Sequence, residues 1–164
     1  VPLHADWTFL DEERYRSATV WCPIVDADLE LDNGPLGVVV RSHEVIDFVR
    51  IANVPSYDRC VEAVASLERR VVPLRAGQAI VMDNRTVHFS TPNRSAEARV
   101  ALGLVVGPSE AELHHYWLDP ESNLRRFRLD RSFYLSYAIG SPEGTEGVLG
   151  VDLVDDQHAA HALR

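Results

Sequence analysis

Short stretches in which apolar residues crowd together recur through the first two-thirds of the chain, at 18–25, 36–40, 71–74, 78–82 and 100–106. Each is rich in Val, Ile and Leu and has the length of a strand. Between them stand turn-formers, Asp32-Asn33-Gly34-Pro35, Ala76-Gly77 and Pro92-Asn93-Arg94-Ser95, which leave too little room for helices between most of the runs. The pattern predicts a mainly all-β core of antiparallel strands. A helical period interrupts it from Tyr57 to Arg70, with Ser56 as N-cap and Tyr57, Cys60, Val61, Val64 and Leu67 along one face. Beyond Pro108 the pattern weakens, and Tyr116, Trp117, Phe127, Phe133, Tyr134 and Tyr137 stand among charges. Coil and short elements are expected there, with a mobile tail over 140–164 and a single domain over 1–164.

Charge narrows the function. The 164 residues carry 16 basic against 25 acidic side chains, a formal net charge of −9, with no basic block set apart. Such a chain repels phosphate backbones and anionic lipid, so no nucleic-acid or membrane partner is expected. The longest apolar run with its glycines is Val100 to Gly107, eight residues, against the roughly 20 that a spanning helix needs. Every basic residue is arginine, which removes Schiff-base, pyridoxal-phosphate and P-loop lysine chemistry. Cys22 and Cys60 form neither a CxxC site nor a disulfide framework and read as reduced thiols of a cytoplasmic protein. The chain opens on Val1 with no basic and apolar leader, which leads to the expectation of a fragment from a longer product.

Candidate chemistry begins at Leu3-His4-Ala5-Asp6-Trp7. In an extended segment residues two apart face the same way, so His4 and Asp6 would converge on one point, with Thr8 beside them and Trp7 turned away. A third ligand has to come from a distant strand, and His88 lies just past the run ending Met82-Asp83-Asn84. Two histidines and a carboxylate on one face of a metal leave positions open for a co-substrate and dioxygen, as in non-haem Fe(II) oxygenases. Eleven residues later stands Arg99, sharing a strand face with Ala101 and Gly103, whose small size leaves space around the guanidinium. A buried arginine requires a partner, and its planar fork suits a carboxylate; either a dicarboxylate co-substrate or one of the chain's own acids would serve.

With these residues in place, the chain resembles the phytanoyl-CoA dioxygenase family. The resemblance runs from about Pro2 to Val106 through His4-Ala5-Asp6-Trp7-Thr8-Phe9, Trp21-Cys22-Pro23, Asp32-Asn33-Gly34-Pro35-Leu36 and Arg41-Ser42-His43. It continues through Gly77-Gln78-Ala79-Ile80-Val81-Met82-Asp83-Asn84, His88, Pro92-Asn93-Arg94-Ser95 and Arg99. It implies a double-stranded β-helix (jelly roll) with a few peripheral helices, and a dioxygenase using Fe(II), 2-oxoglutarate and O2. By the resemblance, His4, Asp6 and His88 match the iron ligands, Arg99 the residue that pairs with the distal carboxylate of 2-oxoglutarate, and Ser90 and Trp21 positions lining the same pocket. Asp6 stands where halogenating members carry a small residue, which favours hydroxylation of a small organic substrate, lipid-like or a natural product.

Two departures from the family pattern carry expectations of their own. Val40-Arg41-Ser42-His43 has no glycine, so the turn there must form without one, and His43 is read as structural. Only three residues precede His4, where the family has a long segment, so part of the barrel wall is expected to be missing. An open strand edge keeps a homodimer in view. Outside the motifs, His114-His115 reads as a surface or partly buried pair, Asp11-Glu12-Glu13-Arg14 as a solvated loop, and His158 and His161 as incidental. Two other functions stay open: a catalytically silent jelly-roll interaction module, and a cupin-like Zn or Mn enzyme in which Arg99 meets a substrate anion.

Overall fold

The computed structural model describes residues 1–138 and 140–154. They divide into two compact units. The first comprises Val1–Asp6, Ser17–Asp47 and Tyr57–Val106; the second, Trp7–Arg16, Phe48–Ser56 and the chain from Gly107 onward. The expected tail lies partly outside the described residues, at 155–164, together with His158 and His161. Before it, residues 148–153 form an ordered strand.

The first unit holds six strands: β1 (Ala18–Pro23), β2 (Leu36–Val39), β3 (Arg69–Val72), β4 (Ile80–Asp83), β5 (His88–Ser90) and β6 (Ala101–Val106). They build two antiparallel sheets, ordered β4-β1-β6 and β3-β2-β5. All five sequence runs coincide with strands to within two residues at either end. The run 71–74 is shifted as a whole toward the N-terminus, because β3 begins at Arg69 and pairs Val39 with Arg69 and Leu36 with Val72. That pairing also shortens the expected helix. The helix α1 covers only Tyr57–Ala63, and its stripe is narrower than read: Cys60 and the following Val64 are buried while Tyr57 and Val61 are exposed.

Turn chemistry in this unit follows the sequence closely. Arg41 adopts the left-handed conformation at φ 64, the position a glycine would take, and leads into a 3-10 turn over Ser42–Glu44. Ser42 then ties the turn to β5's approach. Its Oγ donates to the Val39 carbonyl at 2.8 Å and accepts from the Val87 amide at 2.8 Å, fixing the residue before His88. One strand residue has to be glycine for a packing reason. Gly37 lies opposite Phe89, and a Cβ there would fall inside the Phe89 ring's van der Waals envelope. Gly37→Ala is expected to lower stability by about 1–3 kcal/mol, read by thermal melting. Phe89→Leu in the same background should recover part of it; an additive double variant would show that the ring is not the obstacle.

In β4-β1-β6 Thr19, Trp21, Met82, Ile80, Gly103 and the exposed Val105 share one face by register, and Val81, Leu102, Leu104 and Val106 stand exposed on the other.

The second unit departs from the expectation of coil. β7 (Leu113–Leu118), β8 (Leu124–Leu129) and β9 (Val148–Leu153) form an antiparallel sheet in that order, with a short helix α2 (Phe133–Ser136). Phe127, Leu129 and Phe133 make its core with Leu113, Trp117, Tyr137 and Val148 around them. The loop 11–14 is not wholly solvated, because Glu12 holds the buried Arg50 guanidinium in a two-pronged ion pair at 2.6 and 2.7 Å. Asp119 closes the β7–β8 turn. Burial alone would raise its pKa, but the Asn123 amide and the Arg125 guanidinium donate to the carboxylate and hold it down to about 2.

Candidate metal centre

His4 and His88 are 84 positions apart in sequence and meet as an isolated antiparallel bridge. The His4 amide donates to the His88 carbonyl at 3.0 Å and the His88 amide to the His4 carbonyl at 2.8 Å, which brings the rings to 4.3 Å between centroids. Each ring is oriented through Nδ1: His4 bonds the Pro2 carbonyl at 2.9 Å and His88 the Thr86 carbonyl at 3.0 Å. A carbonyl can only accept, so Nδ1 carries the proton and both Nε2 lone pairs are left for a ligand. Burial, and then the neighbouring His88, lower the pKa of His4, which favours the neutral form that binds metals.

Asp6 completes the group, its Oδ1 3.7 Å from His88 Nε2 and its Oδ2 accepting from the Thr19 hydroxyl at 2.7 Å. One ligand atom from each of His4, Asp6 and His88 lies within 4.8 Å of the others, the one such cluster among the described residues. Two nitrogens and a carboxylate oxygen at this spacing suit a divalent first-row ion and leave further coordination positions for small ligands.

The second part of the site is Arg99, just before β6. One of its terminal nitrogens donates to Ser90 Oγ at 3.3 Å, and its guanidinium carbon lies 5.2 Å from the centre of the Trp21 ring. Ser90 is two residues beyond His88 on β5, hence on the same side and about 7 Å along the strand. Ser90 and Trp21, the other two residues singled out in sequence as co-substrate positions, therefore each meet Arg99. Arg99 is half-buried, and no acid pairs with it among the described residues; its Nε is buried without an acceptor. Leaving such a donor unpaired costs roughly 1–3 kcal/mol, more for a charged group. Gly103, paired with Trp21, has nothing within 4 Å of where a Cβ would stand. A guanidinium with an N–H that no protein group accepts suits the carboxylate of a small dianion such as 2-oxoglutarate.

Other candidates take structural roles. Thr8 belongs to the second unit, where its buried hydroxyl accepts from the Arg50 amide at 3.0 Å. His114 and His115, expected at the surface or partly buried, are both fully buried. His114 bonds Glu112 at 2.9 Å, and His115 sits among Trp7, Trp117, Phe133 and Tyr137. Two polar residues at the metal cluster escaped sequence reasoning. Thr19 and Asn84 were visible only as a strand residue of Trp21's parity and the end of Met82-Asp83-Asn84.

Comparison with known proteins adds independent findings. The family model of phytanoyl-CoA dioxygenase matches residues 1–101. No curated protein matches the chain. Among solved structures, SnoK, a non-heme alpha ketoglutarate dependent carbocyclase from nogalamycin biosynthesis, is 24% identical at a TM-score of 0.55, covering 68% of this chain and 45% of its own. The epimerase SnoN in complex with Fe3+, alpha ketoglutarate and nogalamycin RO is 24% identical at a TM-score of 0.51, covering 69% of this chain and 43% of its own. Both likenesses establish the jelly-roll fold. The chain spans less than half the length of either structure.

Proposed function

The chain belongs to the phytanoyl-CoA dioxygenase family, whose members use Fe(II), 2-oxoglutarate and O2, and from that premise we propose that it is a dioxygenase hydroxylating a small organic substrate. His4, Asp6 and His88 are read as the Fe(II) ligands, and Arg99, with Ser90 and Trp21, as the seat of the distal carboxylate of 2-oxoglutarate. When bound, the metal with its co-substrate supplies the oxidation: R–H, 2-oxoglutarate and O2 become R–OH, succinate and CO2.

The protein's own part is positioning. With Nδ1 of each histidine engaged by a main-chain carbonyl, both rings are oriented so that Nε2 is the atom left to bind the metal. Arg99 fixes the far end of the co-substrate by charge and fork geometry, and Trp21 covers the guanidinium, limiting its hydration. Met82 and Ile80 share the face of Trp21 and provide apolar surface suited to a lipid-like or natural-product substrate. The single observation that carries the reading is Arg99 Nε, buried without an acceptor in the unit that holds the two-histidine, one-carboxylate cluster.

Anaerobic titration with Fe(II) and 2-oxoglutarate tests it. A weak visible charge-transfer band that requires both components is expected, and Asp6→Ala should abolish it by removing one ligand. A folded protein that gives no band with both present would refute the assignment. Recovery of tightly held Zn or Mn after anaerobic preparation would point to a hydrolytic or isomerising site instead.

A further inference from the structure

The Asp6 carboxylate is not held by the metal cluster alone. Thr19, in β1, donates to Asp6 Oδ2 at 2.7 Å and stands 2.9 Å from the Asn84 side-chain amide. Thr19 and Asn84 are both buried, and the Asn84 main-chain amide is anchored on the Ser17 carbonyl at 3.0 Å. A hydroxyl has one proton to give, and an ionised carboxylate is a stronger acceptor than an amide oxygen. The Thr19 proton therefore goes to Asp6, and the contact with Asn84 is satisfied when its amide, turned end for end, donates to Thr19 Oγ1.

From this geometry we infer that Thr19 is a positioning residue for the metal centre: it occupies Asp6 Oδ2, leaves Oδ1 as the ligand atom and holds the carboxylate to one-oxygen coordination, with Asn84 orienting the hydroxyl. The inference rests on the reading of His4, Asp6 and His88 as metal ligands. Asp6 follows Ala5 in a segment bridged to β5 at His4, and main-chain pairing does not set the rotation of a carboxylate, which depends on what its oxygens bond. A donor from β1, which is paired on both sides, supplies that rigidity. With the donor removed, Oδ2 loses the hydrogen bond that keeps it from the metal and can join Oδ1 as a ligand.

Co(II) is a suitable probe, because its affinity and visible d–d spectrum report ligand set and coordination number without turnover. The full chain and its Thr19→Val and Thr19→Ser variants are titrated anaerobically with Co(II) alone, with a thermal melt of each metal-free protein as a folding control. Thr19→Val, equal in shape and lacking the donor, is expected to bind roughly 10-fold or more weakly with an altered d–d band, while Thr19→Ser keeps both affinity and spectrum. Should the valine variant not fold, Thr19→Ala removes the same donor and carries the same expectation. Unchanged affinity and spectrum in the variant without the donor, or equal loss in the serine variant, would overturn the positioning role while leaving the ligand assignment intact. Failure of the unaltered chain to bind Co(II) would overturn the ligand assignment, and this inference with it.

Discussion

Arg99→Ala is expected to raise the concentration of 2-oxoglutarate needed for half-saturation by about two orders of magnitude, with little change in the affinity for the metal itself. The guanidinium donates to Ser90, lies over Trp21 and keeps one N–H buried without an acceptor. If Arg99 seats the distal carboxylate as proposed, its removal deletes a charge-assisted, partly desolvated contact and takes away the counter-charge. Lysine at this position restores the charge without the fork, so Arg99→Lys should fall between the two. Anaerobic titration of the Fe(II)-loaded proteins, followed through the charge-transfer band, measures all three. Equal affinities in the unaltered protein and the alanine variant would show that the arginine serves some other anion or none.

The second large effect is on stability in acid. His115 lies on β7 with 1% of its surface exposed, ringed by aromatic side chains. Burial lowers its pKa from 6.5 to about 4. Above pH 6.5 both the folded and the unfolded chain hold it neutral, and it exerts no pH-dependent force. As the pH falls, the unfolded chain takes up the proton first, so stability is lost progressively from 6.5 and levels off only below the folded value near 4. The loss attributable to this one ring is about 3 kcal/mol. Urea unfolding at neutral pH and at pH near 4, on the unaltered chain and on His115→Phe, isolates it. The variant should lose correspondingly less between the two conditions, and parallel losses would remove His115 from the account.

That ring also shows where sequence reading runs out. Strands of the first unit were legible because short Val, Ile and Leu runs alternate between defined turns, and the candidate group of His4, Asp6 and His88, which the fold brings together, was legible because its residues carry chemistry at distinctive places. The second unit's sheet was not, because β7 reads Leu-His-His-Tyr-Trp-Leu and β8 carries three arginines. Apolar periodicity counts such residues as polar, whereas the fold buries both imidazoles and lays the Arg126 and Arg128 guanidinium groups against Asp152 of β9. The helix was overextended for a related reason: Arg69 and Arg70 suit a helix, but pairing with β2 decides their conformation. Thr19 and Asn84 are a third kind of omission, since a hydroxyl and an amide become informative only when the carboxylate they serve is seen beside them.

The junction of the chain's beginning with β5 has an entropic side. His4 bonds His88 in both directions and the Ser90 amide donates to the Val1 carbonyl at 3.1 Å. Because Ala18 is already paired with Asp83, closing this seam ties off a loop of about twenty residues, and for a flexible loop of that length the length-dependent closure cost is about 2–3 kcal/mol. Against that stand the main-chain bonds of the seam, the Thr19–Asp6 bond and the contact of the two imidazole rings. An ion held by His4, Asp6 and His88 binds only the closed form, and at a hundred times its dissociation constant it contributes about 2.7 kcal/mol. Ion occupancy and order at the chain's beginning are then two readings of one equilibrium, and amide hydrogen exchange at His4 and Ser90 would slow on metal addition before any co-substrate is present.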